Sequence, residues 1–593
     1  MSEPKKYTVP RLVADNHVGG VVVPATPQLP ANCPVKPLGK KGDVCFYLDA
    51  HGQFVALPAK EHTRLIIECM FGPYLGLLFT ENYWPRKKKV GDIWIVDGWH
   101  AERGARALMQ ACGQIGLYEP LGHVRGTGAW HDSVNGLLML HCGDQILVGE
   151  TWHAPGKIGG YVYPAYAATL RPSEQFIAEG APDNPAQELL AIFGTWQWRR
   201  GELDTRLLLG WMCAAMLGGA IKFRPVLWIT GKQGSGKTTL MDALKAAFGN
   251  MLVQSADASP AYIWQKLKDA ALPVLIDEQE PDNSGNRTVA ARQAALIKLA
   301  RIAASGSLLG RGGSDHEPEE FTARSCFLLS SILMPALTNQ DRSRMAILEL
   351  APAKGTQPDL SEERMRRLAE WLYRRLVNNW SRFEKTLELL RESLRAEGHT
   401  ARGADVFGTL LACLDLALHD HQMDAETAAA WAMELHASHL AETAEQTNDE
   451  DQVLQHLLST LVPRNAPNAR AIGELVRDAA NEWGSDAGRA NEILMNYGMK
   501  VARENNETVF AIANQHAELG RLFQGTQWET PAGLAGLWGQ ALRRLPQATV
   551  GRPQRFAGGQ QTRATLLPIA LVAPKEAPAP KPQQPNFGDE EEK

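Results

Sequence analysis

Apolar positions along this chain change their period several times, and each change predicts a different architecture. Up to about residue 180 they form short alternating runs broken by Gly and Pro, the pattern of a β-rich domain. VCFYLDAHGQFVAL (Val44–Leu57) predicts a hairpin turning at Ala50-His51-Gly52-Gln53. Asp92–Val96 predicts a short strand and Gly136–Leu147 a further hairpin. Residues 183–221 take up helical spacing as two helices, a linking collar. The second contains LLLGWMCAAMLGGAI (Leu207–Ile221), apolar all round and too short to span a bilayer, which predicts a buried packing helix.

Between residues 222 and 352 short apolar runs alternate with helix-period segments, which predicts an α/β domain around a parallel sheet. Strands are expected at Val226–Ile229, Met251–Gln254, Pro273–Glu278, Ser325–Ser331 and Met345–Leu350. Helices are expected at Thr239–Phe248, Ala261–Asp269 and Val289–Ser305, and a glycine-tipped hairpin at Ser307–His316. Residues 359–447 are helical and charged, a helical subdomain whose arginines form a solvated face. In residues 451–572, helices at Gln452–Leu461, Ala471–Glu482 and Ala487–Tyr497 precede two strands, MKVARE and TVFAIA, around Asn505-Asn506. Helices followed by a hairpin predict a winged-helix-like domain, a class that binds duplex DNA or a protein partner. Residues 574–593, rich in Pro, Lys and Glu, read as a disordered tail.

The chemistry concentrates where the first apolar run of the α/β region ends. VLWITGKQGSGKTTL (Val226–Leu240) fits G-x-x-x-x-G-K-[ST] with Gly231, Gly236, Lys237 and Thr238 in the fixed positions. Glycines, among them Gly234, let backbone N–H groups curl around a polyphosphate, and the helix beginning at Lys237 points its positive end at the same anion. Lys237 is placed to reach the β- and γ-phosphates of ATP, with Thr239 next along the helix; the Thr238 hydroxyl is suited to Mg²⁺. Downstream, PVLIDE puts Asp277 and Glu278 at the C-terminal tip of a buried strand, the edge where parallel sheets bind ligands. Asp277 suits Mg²⁺ through water, and Glu278 suits the deprotonation of an attacking water.

Composition narrows the setting. A net charge of −5 over 593 residues supplies no global attraction to nucleic acid, so DNA binding must rest on local basic patches. One is Arg86-Lys87-Lys88-Lys89 beside Tyr83 and Trp84, where stacking and phosphate contact combine; the same residues also fit a solvated loop. Another is Arg543–Leu567, with five arginines and one aromatic. Eight scattered cysteines without C-x-x-C argue against zinc or a disulfide framework and suit a reducing cytoplasm. MSEPKKYTVP carries no apolar leader segment, and no membrane association is expected.

The order of motifs resembles that of the AAA+ ATPases, and in particular the superfamily-3-like replicative helicases of phages, viruses and integrated elements. The residues that carry the likeness are the phosphate loop, Asp277-Glu278, the hairpin, a strand ending in Ser330-Ser331, and Arg342 and Arg344. Cys33–Phe54 and Arg125–Leu147 are also similar to segments of prophage-encoded primase–helicase-type proteins, so the likeness covers most of the chain. It implies an AAA+ P-loop core that binds ATP and Mg²⁺ and acts on DNA as a ring, most simply a hexamer. It also implies that Ser330 or Ser331, with Ser331 preferred, reads the γ-phosphate. Arg344, with Arg342 second, would be the arginine finger reaching a neighbouring subunit. Arg311 and His316 would grip single-stranded or forked DNA in a central pore, and the C-terminal domain would meet replication proteins. Departures are the serine where that family ends the strand in Asn, the absence of its Lys-His hairpin tip, and no zinc ribbon to support a primase. Alternative readings are a non-translocating initiator or helicase loader, and a nucleotide-gated protein-binding switch.

Overall fold

Five parallel strands form the central sheet of the larger unit in the computed structural model, in the order Val253–Ser255, Val274–Ile276, Phe327–Ser331, Val226–Gly231, Met345–Leu350. The structure describes residues 17–18, 21–22, 28–132, 134–255, 258–277, 287–312, 318–335, 337–353, 359–437, 449–463, 469–481, 486–504, 507–526, 528–530, 536–559 and 561–572. They fall into two units that divide between Thr443 and Ala444. The chain is a multidomain α/β protein, and no described helix is long and apolar enough to cross a membrane.

The sheet is buried on both faces, which is why its strands read as continuous rather than alternating apolar runs. Val274, Leu275, Ile276 and Phe327 to Leu329 are fully buried. Helix Glu202–Met216 packs on the sheet, its Trp211 indole donating to the Phe327 carbonyl at 3.1 Å. On its other side lies helix Ala401–Leu418, and the two approach so closely at Gly210 that a Cβ there would stand 2.4 Å from the Leu410 carbonyl oxygen. The helical block after the sheet comprises Glu362–Asn379, Phe383–Ala396, Ala401–Leu418 and Ala425–Glu434. Not all of its arginines face solvent: Arg375 is fully buried and ion-paired to Asp420, and Arg382 pairs with the buried Asp415.

Before the sheet, Lys36–Lys41, Val44–Leu48 and Phe54–Pro58 form a three-stranded antiparallel sheet. Gly128–Asp132, Leu137–His141, Ile146–Val148 and Thr151–His153 form a four-stranded one. Between them lies helix Ala101–Ile115, absent from the sequence reading. Its glycines read as loop punctuation, yet Gly104 seats the helix against tryptophan rings, where a Cβ would lie 2.8 Å from Trp84 and 2.9 Å from Trp99.

In the smaller unit, helices Asp449–Ser459, Ile472–Ala480 and Ala487–Asn496 precede the Met499–Glu504/Glu507–Ala513 hairpin. That hairpin is half of a four-stranded antiparallel sheet rather than a two-stranded wing, because Gln561–Pro568 and Thr549–Arg555 complete it. The arginine-rich run supplies these last strands. Ala564, Leu566 and Leu567 turn inward, while Arg543, Arg544, Arg552, Arg555 and Arg563 are all exposed.

Candidate functional site

Val226–Gly231 runs through the sheet and delivers the glycine-rich turn at its C-terminal edge, immediately before helix Lys237–Phe248. The glycines have different reasons to be there. Gly234 (φ 79°) and Gly236 (φ 84°, left-handed) hold backbone conformations that side chains disfavour. Gly231 is glycine for space, since a Cβ would fall 2.7 Å from the Leu350 carbonyl oxygen on the neighbouring strand. Gly236 caps the helix without a side-chain hydrogen bond, so the first-turn N–H groups of Lys237, Thr238 and Thr239 face outward without intrahelical acceptors. The Lys237 ammonium folds back onto the Gly231 carbonyl. Thr238 is exposed and Thr239 half-buried.

One contact was missed by sequence reasoning. The Trp196 indole donates to the Gly236 carbonyl at 2.9 Å and pins the turn from the loop between helices Pro185–Phe193 and Glu202–Met216. That segment also runs beside the edge strand, with Arg199 N–H donating to Glu349 O at 2.9 Å and Ala351 N–H to Gln197 O at 2.8 Å. No local signal marks Trp196, because its acceptor lies 40 residues away.

Asp277 follows Val274–Ile276 directly, half-buried at the same edge, its N–H donating to Ser255 O at 3.3 Å. Glu278 lies outside the described residues. A single strand, Phe327–Ser331, separates Asp277's strand from the strand that leads into the glycine turn, a lateral gap of about 10 Å. At its tip Ser330 pairs with Ile229 and Ser331 with Thr230. The two hydroxyls differ: Ser331 Oγ accepts the Trp228 indole N–H at 2.9 Å, whereas Ser330 Oγ is fully buried and has no hydrogen-bond partner among the described residues. Ser235 Oγ, inside the turn, is likewise buried without a partner. Buried hydroxyls within and beside one glycine turn are groups that a polar ligand bound there could satisfy.

The arginines lie elsewhere. Arg342 ends the short helix Asn339–Arg342, and Arg344 precedes Met345–Leu350, so both sit at the N-terminal edge of the sheet. Met345 is level with Val226 and Leu350 with Gly231, which places Arg344 a full strand, roughly 20 Å, from the glycine turn. Its guanidinium donates to Gln340 O at 2.9 Å, and Arg301 reaches Asp341 at 3.1 Å beside it. Partial burial, then the neighbouring charges of Arg402 and Arg301, lower the Arg344 pKa. Arg311 lies on strand Leu308–Gly312, paired with Pro318–Thr322 and opposite Glu319. Its side chain and His316 lie outside the described residues.

The basic cluster near residue 86 is built differently from the sequence reading. Trp84 is buried, tilted against Trp99, and cannot stack on a base. Instead Pro85–Val90 and Ile93–Trp99 form an exposed ribbon in which Lys89 stands opposite Trp94, 64% exposed, and Lys88 opposite Ile95. Arg86 and Lys87 are occupied by Asp97 and Glu81.

No family model and no curated protein matches this chain. Among solved structures it is similar to SCCmec type IV Cch, described as an active helicase, at 12% identity over 91% of this chain and 94% of that one, with a TM-score of 0.43. The apo NrS-1 C terminal region matches at 13% identity over 90% and 96%, with a TM-score of 0.30. A second apo form of that region gives 12% and 0.33. Likenesses of this depth assign neither family nor activity.

Proposed function

We propose that this chain is an ATP-hydrolysing, ring-forming DNA helicase serving replication of a phage, prophage or related mobile element, built on an AAA+ core. One observation carries the ATPase reading: a Lys- and Thr-bearing glycine turn with left-handed Gly234 and Gly236, holding the buried Ser235 hydroxyl between them, beside the buried Ser330 hydroxyl and two strands from Asp277. First-turn N–H groups and Lys237 would hold the polyphosphate of ATP. Thr238 and Asp277 are hard oxygen donors of the kind that hold Mg²⁺, which when bound neutralises developing phosphate charge. Glu278 would take the proton of the attacking water. Ser330, rather than Ser331, is the hydroxyl we assign to sensing the γ-phosphate, since Ser331 is engaged by Trp228.

Arg344 sits a strand's length from its own site, so a role on phosphate requires a second copy, and a ring, most simply a hexamer, supplies one to every site. DNA contact would come from Arg311 and His316 of the hairpin, the Lys88–Lys89–Trp94 ribbon and the exposed arginines of the smaller unit. That smaller unit also offers a surface for replication proteins.

Strand displacement on a forked substrate, with ATP compared with a non-hydrolysable analogue, tests the reading. ATP-dependent unwinding is expected. DNA-stimulated hydrolysis without unwinding would assign an initiator or loader, and hydrolysis indifferent to DNA would assign a protein-binding switch.

A further inference from the structure

A cavity of about 510 Å³ opens between the loop ending at Arg125, the Gly128–Asp132 strand, helix Pro260–Leu267 and the root of the Leu308–Thr322 hairpin. It lies at the N-terminal edge of the central sheet. Arg324 on its wall precedes Phe327–Ser331, whose far end bears Ser330, so the phosphate loop is on the order of 20 Å away.

Its wall holds two guanidinium groups. Arg125 is only 6% exposed; its carbon lies 3.3 Å from the Tyr161 ring centre, and it donates to Tyr163 Oη at 2.9 Å and His131 O at 3.5 Å, both neutral. Arg324, half-buried, shares the Trp130 ring with Arg125, at 5.6 and 5.3 Å from its centre. Among the described residues neither guanidinium forms an ion pair. Asp132 feels Arg125 only after its own bonds to Asn135 and Val134. Burial, then the like charge of Arg125, pushes the Arg324 pKa down. Two like charges withdrawn from water on one ring are costly unless an anion joins them.

We propose that this cavity binds a phosphate group between Arg125 and Arg324, with the sugar or base it carries against the aromatic wall. Guanidinium forks match phosphate oxygens, and a cavity of this size exceeds what a lone phosphate fills. Asp269 at the rim is offset by Lys268 beside it, held at φ 45°. The same chemistry fits a phosphodiester of a nucleic-acid strand or a free nucleotide. Because Thr322 and Arg324 root the hairpin, a strand is the source that agrees with the DNA-acting reading, on which the source, though not the chemistry, rests.

The test uses the full chain carrying Lys237→Ala, so that phosphates do not report on the glycine turn. Binding of a fluorescent oligothymidylate and of inorganic tripolyphosphate is titrated over a range of salt, with and without Arg324→Ala. Loss of one phosphate contact should weaken binding about tenfold or more and reduce the salt slope by about one. Gln265→Glu, an exposed rim change that sets a carboxylate before the guanidiniums, should act in the same direction, and it decides the matter if Arg324→Ala does not fold.

A fall for the oligonucleotide alone assigns a strand; a fall for tripolyphosphate alone assigns a free nucleotide. Unchanged affinity for both in folded variants, or no binding of either, overturns the proposal. Unwinding could fail in the forked-substrate assay while this dependence on Arg324 persists, so the two readings fall separately.

Discussion

The two edges of the central sheet are built from different materials. At the C-terminal edge, around Gly231–Thr239, the anion-seeking groups are backbone N–H donors and a helix end, fixed by two left-handed glycines and the Trp196 bond to Gly236. At the N-terminal edge they are guanidiniums: Arg344 and Arg301 near Asp341, Arg125 and Arg324 around Trp130. Backbone donors are preorganised and contiguous, so one short motif makes the site. Guanidiniums arrive from distant segments and carry full charge, suited to reaching something outside the chain. On the proposed function the first edge would do the chemistry and the second the coupling, and variants can break that division.

Lys237→Ala should reduce ATP hydrolysis to background, since it removes the ammonium placed to neutralise the β- and γ-phosphates; steady-state phosphate release measures it. Glu278→Gln should lower turnover about a hundredfold or more while ATP still binds, because an amide accepts no proton. Hydrolysis within a few-fold of wild type would remove Glu278 from the mechanism. Arg344→Ala tests the division itself. It should cost about a hundredfold or more alone, and mixing it with Lys237→Ala subunits should restore part of the activity, as the lesions fall on opposite edges. If intact oligomers show no recovery, the two edges do not meet between copies. The smallest effect belongs to Trp196→Phe. It keeps a ring but loses the bond to Gly236 O, which should raise KM for ATP a few-fold and cost about 1 kcal/mol in chemical denaturation.

The strands of the sheet were legible because burial on both faces leaves uninterrupted apolar runs, as at Val226–Ile229 and Val274–Ile276. Helix Ala101–Ile115 was not, since Gly104 answers to ring faces of Trp84 and Trp99 rather than to a turn. Trp84 misled for the reverse reason: beside four basic residues it looks like a stacking platform, but its environment is the core, and the exposed aromatic is Trp94 across the ribbon.

What the sequence determined by itself is the glycine-rich turn between strand and helix, because Gly231, Gly236, Lys237 and Thr238 fix local backbone geometry within eight residues. Only the tertiary structure decided the rest. Strand order set Ser330 and Ser331 between Asp277 and the glycine turn, and Trp228 distinguished the two hydroxyls. Packing joined Arg125 and Arg324, 199 positions apart in the chain, on a single indole ring. Contacts closed over such distances depend on how strands order and helices pack, and a local pattern of residues does not encode them.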